Sequence, residues 1–296
     1  MVKAEQHKHW IASDGRVGFE GSPSALFPYW SFTKTAIAIC ALRLADQGTV
    51  ELDAPLPGWQ FTLRQLLQHT AGLPDYYALP DYRRDVSQGK PPWAVDDLLE
   101  RSLAQGMLFA PGEGWTYSNV GYLLARKHIE KRAGQSLAAL VRRFISEPLA
   151  LESLGLATTQ ADFEKLHWDE ASLYHPGWVY HGCLTGTAED AAGMLQGLMA
   201  GELLGRERLE EMLATHPVGG AIPGRPFTEC GYGLGLMSGR AGAAGRMIGH
   251  SGGGPFAVNA VYHFPDRPVP VTVACFTAGP DEGVPEHAVA RIALSF

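Results

Sequence analysis

Ser31 and Lys34, in the stretch Trp30-Ser31-Phe32-Thr33-Lys34, are the residues of this chain best suited to covalent chemistry. Positions i and i+3 are neighbours on one face of a helix, so the hydroxyl and the amine can come within hydrogen-bond reach. A serine hydroxyl becomes a useful nucleophile when a base takes its proton, and a lysine can be that base only when it is neutral. The apolar run that follows supplies the means, because burial disfavours an ammonium and lowers its pKa. Ser31 also falls in a first helical turn, where backbone N–H groups and the helix dipole favour negative charge on an attacked carbonyl oxygen. Taken alone, the pair reads more readily as a helix N-cap followed by a surface lysine. Ser87 and Lys90 share the spacing, but Gly89 between them and Pro91-Pro92 after them disfavour a helix, and that pair is set aside.

Two further groupings carry polar chemistry. Tyr117 and Asn119, in Pro-Gly-Glu-Gly-Trp-Thr-Tyr-Ser-Asn (residues 111–119), put a phenol and an amide where a Pro/Gly-rich loop enters a helix. That combination suits a proton carrier beside a substrate-orienting amide. His250-Ser251-Gly252-Gly253 ends a strand-like run and opens a Gly-rich one, so backbone can approach a ligand closely there.

The elements that must position these groups can be outlined from periodicity. Ile11 to Glu20 reads as a hairpin around Asp14-Gly15. Ser31 to about Gln47 reads as a helix that is apolar around most of its circumference, with Gly48 as a left-handed cap. Helical patterns follow at Leu63 to His69, Ala94 to Ala104, Ser118 to Arg132, Leu137 to Ser146 and Ala188 to Ala200, the last with Thr187 as N-cap and Asp190 in its first turn. Leu73 to Pro92 keeps no period and reads as a long loop. Strands are expected at Tyr232 to Met237, Arg246 to His250, Ala257 to Phe264 and Val269 to Thr277, with a closing helix over Val284 to Leu294. The expected fold is α/β (α+β): an antiparallel sheet built from both chain ends, flanked by helices, with an inserted helical lobe. Residues 1–60 and 218–296 would form the sheet lobe and 61–217 the helical lobe.

In this order the three groupings resemble the serine β-lactamase and penicillin-binding protein superfamily, whose S-x-x-K motif Ser31 and Lys34 match. The resemblance is strongest to the class C β-lactamase-like branch, which includes esterases and D-aminopeptidases. Leu66-Leu67-Gln68-His69-Thr70-Ala71-Gly72-Leu73-Pro74, Thr187 to Leu195 and Tyr232-Gly233-Leu234-Gly235-Leu236 also resemble that branch, so the likeness spans almost the whole chain. It implies that Ser31 is the acylated nucleophile, Lys34 its base, and Tyr117 the proton shuttle to the leaving group and then for the deacylating water. It further implies that Asn119 holds a substrate carbonyl, that His250, Ser251 and Gly252 border the substrate, and that the N–H groups of Ser31 and Gly253 form the oxyanion hole. Penicillin-handling members usually carry lysine where this chain has His250, which is mostly neutral at pH 7. The expected activity is therefore that of an esterase or peptidase rather than a β-lactamase or penicillin-binding protein. The region before Ser31 is also shorter than is usual in the family, so an outer helix of the sheet is expected to be missing. Tyr29 and Trp30 are candidates for an apolar wall beside the acyl group, with core packing the expected role of at least one of them.

Rival readings can be stated on the same residues. Gly249-His250-Ser251-Gly252-Gly253 also fits G-x-S-x-G, which would make Ser251 the nucleophile of an α/β-hydrolase, with Asp266 or Asp281 and then His287 behind it. A catalytically silent ligand-binding protein would keep the pocket without turnover. No H-E-x-x-H cluster occurs among the 11 histidines, so no metal is expected, and His181 reads as a loop or a pocket residue. The chemistry needs no cofactor. At 296 residues, 46% hydrophobic and net charge -7, the chain can bury a large core and offers no sign of a basic face for nucleic acid. The polar start shows no export signal, and no apolar run is long enough to span a bilayer. Cys40, Cys183, Cys230 and Cys275 lack metal or redox spacing. Together these features predict a cytoplasmic enzyme with a small-molecule ester, amide or peptide substrate and no membrane partner.

Overall fold

The computed structural model describes residues 5–296. Gln6–Ala12 (β1) and Val17–Glu20 (β2) form the N-terminal hairpin, turned at Gly15 with φ +88°. Phe27–Pro28 (β3) leads into a 3-10 turn, Trp30–Phe32, and then Thr33–Asp46 (α1), which Gly48 closes with φ +67°. The middle of the chain is mostly helical: Leu63–Leu67 (α2), Pro80–Ser87 (α3), Val95–Leu103 (α4), Asn119–Ala133 (α5), Leu137–Val141 (α6), Glu147–Leu149 (α7), Gln160–Phe163 (α8), Ala188–Met199 (α9) and Arg206–Leu213 (α10). Between them lie Gly155–Ala157 (β4) and Cys183–Gly186 (β5). The C-terminal part adds His216–Gly219 (β6), Glu229–Tyr232 (β7), Met237–Arg240 (β8), Arg246–Gly253 (β9), Ala257–Phe264 (β10), Val271–Ala278 (β11) and the helix Gly283–Ala293 (α11).

Eight strands form one antiparallel sheet in the order β2-β1-β11-β10-β9-β8-β7-β6, so strands from the two chain ends meet where β1 pairs with β11. Alternation along the central strands gives each face its own core. Val261, Ala274 and Phe276 face α9 and the helical layer, whereas Ala260, Tyr262, Val273 and Cys275 face α11. A small second sheet, β3-β5-β4, was not legible in the sequence; it ties the approach to Ser31 onto the segment before α9. All four cysteines are free thiols, three of them buried.

Two segments differ from expectation. Tyr232 to Met237 is not one strand but the turn between β7 and β8, because Gly235 takes φ +73° and its backbone presses against α1. A Cβ on Gly235 would lie 2.7 Å from both the Ala38 Cβ and the Lys34 carbonyl oxygen. Thr35 Oγ1 donates to the Gly235 carbonyl at 2.7 Å, and Gly235 N donates to the Leu67 carbonyl at 3.2 Å, so this turn pins the sheet to α1 and α2. Leu73 to Pro92 is not an irregular loop, since it contains a 3-10 turn, Tyr76–Ala78, and α3. Pro80 starts α3, where its fixed φ suits a first turn and the lost N–H costs nothing. With Asp81, Arg83, Arg84 and Asp85 in eight residues, α3 has too few apolar positions to print a period. The Ser87 hydroxyl bonds back to the Arg84 carbonyl and Lys90 Nζ pairs with Asp85, so the second serine–lysine pair is indeed not brought together.

Replacing Gly235 by alanine forces a strained φ and a clash with backbone at once. G235A should lower the unfolding free energy by about 2–4 kcal/mol. Urea denaturation with an unchanged m-value checks this.

Candidate active site

Three elements meet at Ser31. The first is the turn that enters α1. Trp30 adopts φ +45°, a left-handed conformation that costs a non-glycine residue on the order of 1–3 kcal/mol and persists only where packing enforces it. Here the indole is 2% exposed and packs edge-on against Phe163, Tyr174 and Phe256 at ring-centroid distances of 5.8, 5.6 and 5.3 Å. One turn on, Lys34 is 0% exposed.

The second element is the start of α5. Ser118 caps it, accepting the Gly121 N–H at 3.1 Å and donating to the Pro74 carbonyl at 2.8 Å. His69, at φ +63°, ties the same segment to α2: its carbonyl accepts Thr116 N–H at 3.0 Å and its Nδ1 accepts Ser118 N–H at 3.1 Å. The imidazole also lies 4.3 Å, centroid to centroid, from the Tyr117 ring. The two stretches 66–74 and 111–119 thus hold each other, and together they place Tyr117 and Asn119 opposite Lys34.

The third element is the end of β9, which packs against the Trp30 turn. A Cβ on Gly252 would meet the Tyr29 carbonyl oxygen at 2.8 Å and the Trp30 Cβ at 2.9 Å, so glycine is what lets this strand approach the serine. His250 Nδ1 faces the Ser251 carbonyl oxygen, which can only accept, so Nδ1 carries the proton and Nε2 accepts from the Tyr232 hydroxyl at 2.9 Å. Burial pushes the His250 pKa down to about 3, with the Lys34 charge acting in the same sense, so this side chain is neutral and offers no fixed cation.

The Lys34 amine is the hub. Its Nζ lies 3.2 Å from Ser31 Oγ, 2.7 Å from Asn119 Oδ1 and 3.3 Å from His181 Nε2, and 4.8 Å from the Tyr117 ring centroid. Desolvation pushes its pKa down to about 7, against the opposing pull of the Asp75 and Glu282 carboxylates. Burial raises the Tyr117 phenol well above its usual value, while its hydrogen bond with Ser31 acts the other way. Asp75 sets the orientation of the Asn119 amide, accepting from Nδ2 at 3.0 Å and thereby turning Oδ1 toward Lys34. Ser31, Tyr117, Asn119, His250, Ser251 and Gly253 all border one cleft of about 1430 Å³.

Ser251 does not hold the place of a nucleophile elbow. It lies inside β9, which runs into antiparallel β10 rather than into a helix, and its hydroxyl is engaged by Tyr262 at 2.8 Å and by Glu286 on the α11 side of the sheet. Asn119 likewise has both ends of its amide occupied by protein. Asp75, Glu282 and the Lys34 contact of His181 were missed in the sequence; Asp75 directly follows the Leu73-Pro74 motif, the only local hint.

Away from the cleft, Glu5, His7 and His167 bring a carboxylate and two imidazoles within 4.8 Å of one another. His7 Nδ1 accepts the Ser22 N–H at 3.0 Å, so its proton sits on Nε2, which lies 3.2 Å from Glu5 Oε1 and has no lone pair to offer a metal. Among the described residues no helix is long and apolar enough to cross a membrane.

The beta-lactamase family model matches residues 9–295. The chain belongs to the beta-lactamase family. It is 32% identical over 169 residues to penicillin-binding protein 4* of Bacillus subtilis (strain 168), a match covering 53% of this chain and 35% of that protein. It is 30% identical over 171 residues to esterase EstB of Burkholderia gladioli, covering 51% and 43%. The matches therefore span less than half the length of these relatives. Among solved structures, a D-stereospecific amidohydrolase from Streptomyces sp. aligns with a TM-score of 0.78 at 25% identity, over 94% of this chain and 92% of that one. The D-amino acid amidase of Ochrobactrum anthropi SV3 aligns with a TM-score of 0.84 at 23% identity, over 98% and 95%. These neighbours carry the same fold.

Asp75 favours the ammonium form of Lys34, so Asp75→Asn should move the Lys34 titration to lower pH. A ¹⁵N-lysine NMR titration of both proteins reads this directly; an unmoved or raised midpoint contradicts the electrostatic assignment.

Proposed function

We propose that this chain is a serine hydrolase that cleaves a small ester or amide through an acyl-enzyme on Ser31. The observation that carries the proposal is the buried Lys34 amine 3.2 Å from the Ser31 hydroxyl, with its pKa lowered to about 7. Near neutral pH a large share of such a lysine is unprotonated and can take the serine proton as Oγ attacks the substrate carbonyl. The N–H groups of Ser31 and Gly253 receive the oxyanion, the role for which the close approach of β9 to the Trp30 turn is suited. Tyr117 passes a proton to the leaving group and later assists the water that releases the acyl group. Asn119 orients Lys34 and borders the acyl side, with His250, Ser251 and Gly253 along the other wall; Gly252, expected to border the substrate, instead supports that wall by packing against the Trp30 turn.

The chemistry of the cleft narrows the substrate. A carboxylate-bearing β-lactam needs a cation where His250 is neutral, and Arg225, at the same wall, is already paired with Glu282 at 3.0 Å and with Glu286. Asp75 and Glu282 instead favour a neutral or amine-bearing acyl group. Trp30, Tyr174 and Phe256 form an aromatic bay for its side chain. An amino-acid amide or a simple ester with an aromatic acyl part fits these features, in keeping with the amidohydrolase and esterase among the chain's relatives. Four thiols with no disulfide among them fit a reducing, cytoplasmic setting.

A fluorophosphonate probe followed by peptide mapping should label Ser31. Label at Ser251, or none, rejects the reading. Lys34→Ala should slow acylation by about a thousandfold or more while leaving the melting transition cooperative. Because the base must be neutral, kcat/KM should rise with pH through about 7, the value to which burial lowers Lys34.

A further inference from the structure

Lys34 has three polar neighbours, and the proposed mechanism uses only one of them chemically. A neutral primary amine carries two N–H donors and one lone pair, whereas an ammonium carries three donors and no lone pair. The oxygen of Asn119 Oδ1 can only accept, so at 2.7 Å it takes one Lys34 N–H in either state. If a second N–H is taken by an acceptor on another side, the remaining direction belongs to Ser31.

His181 Nε2, 3.3 Å from Lys34 Nζ, occupies that other side. The imidazole is 2% exposed and comes from the segment before β5, held in place by a short sheet rather than by the catalytic loop itself. Burial and the Lys34 charge both hold it neutral, outweighing the Trp30 backbone, which favours a ring proton. Once Lys34 has taken the serine proton it has no lone pair left, so the contact with His181 then requires Nε2 to be the acceptor and places the ring proton on Nδ1. No donor lies at that nitrogen to force the opposite tautomer, and an N–H there is left without an acceptor.

We propose that His181 is a positioning residue: a permanently neutral acceptor that, with Asn119, takes up two N–H groups of Lys34 and aims the amine's lone pair at the Ser31 hydroxyl. Proton transfer then changes a single bond. Before it, Ser31 O–H donates to the Lys34 nitrogen; after it, the new N–H donates to Ser31 Oγ, while the bonds to Asn119 and His181 stay as they were. No reorientation accompanies the step, which is the condition under which a preorganised site lowers a barrier. The chain thus uses an imidazole without using its basicity.

The inference rests on the Ser31–Lys34 reading, and its test separates the two. The probe is the fluorophosphonate, with its second-order rate of Ser31 labelling followed from pH 5 to 9 in wild type, His181→Gln and His181→Leu. Glutamine keeps a neutral acceptor that does not titrate; leucine keeps the volume and removes the acceptor. H181L should label about ten- to a hundredfold more slowly, the range for a lost hydrogen bond to a buried charged group, and H181Q within about threefold of wild type. The acid limb of the profile should move to lower pH in H181L, because the ammonium loses an acceptor, and stay in place in H181Q. Should H181L not fold, His181→Phe makes the same comparison. Equal rates in the Gln and Leu variants, whether both normal or both impaired, overturn the role of His181 while leaving Ser31 as the labelled residue. Failure of the wild type to label at Ser31 overturns the parent reading instead.

Discussion

Taking an amine out of water while keeping it beside a hydroxyl sets the conditions that the rest of the site has to meet. The desolvation of Lys34 lowers its pKa, yet Asp75 and Glu282 pull the other way, so the value near 7 is a balance and not a limit of burial. Without the carboxylates the amine would be a weaker base; without the burial it would be an ammonium with no lone pair. The oxygen of Asn119 and the nitrogen of His181 can each accept a Lys34 N–H in either protonation state, so the buried amine keeps these two partners whether or not it is charged.

Such a balance needs fixed distances, and the architecture supplies them through close backbone approaches. Gly252 lets β9 lie against the Trp30 turn, Gly235 lets the β7–β8 turn lie against α1, and His69 clamps the Tyr117 segment through both its carbonyl and its ring. The left-handed Trp30 is the visible cost of that convergence, and the aromatic rings around it hold the strain in place. The sheet made from both chain ends and the helical layer made from the middle are therefore joined where Ser31, Lys34 and Tyr117 meet.

Much of this was legible where the signal is local. The Asp14-Gly15 hairpin, the Ser118 entry to α5, the Thr187 cap of α9 and the apolar α1 each announce themselves within a few residues. Ser31, Lys34, Tyr117 and Asn119 were nameable because their spacing matches a family pattern, and the fold brings them to one hub. The helix α3 was not legible because charge fills the positions from which a period is read, and the β7–β8 turn was not because alternating residues continue through a glycine that reverses the chain. Asp75 was beyond reach, and His181 could be read no further than as a loop or pocket residue, for a different reason: what matters is which way a lone pair points, and His181 reaches Lys34 across 147 positions of sequence.

Helix α1 has eleven buried residues out of fourteen, with neighbours on every side. A serine mounted on such a strut cannot drift to suit a new ligand. A different ligand would have to be met at the periphery of the cleft, by charged α3 and the segments near Leu173 and Ile222, while the Ser31–Lys34 contact stays clamped at the centre of the molecule.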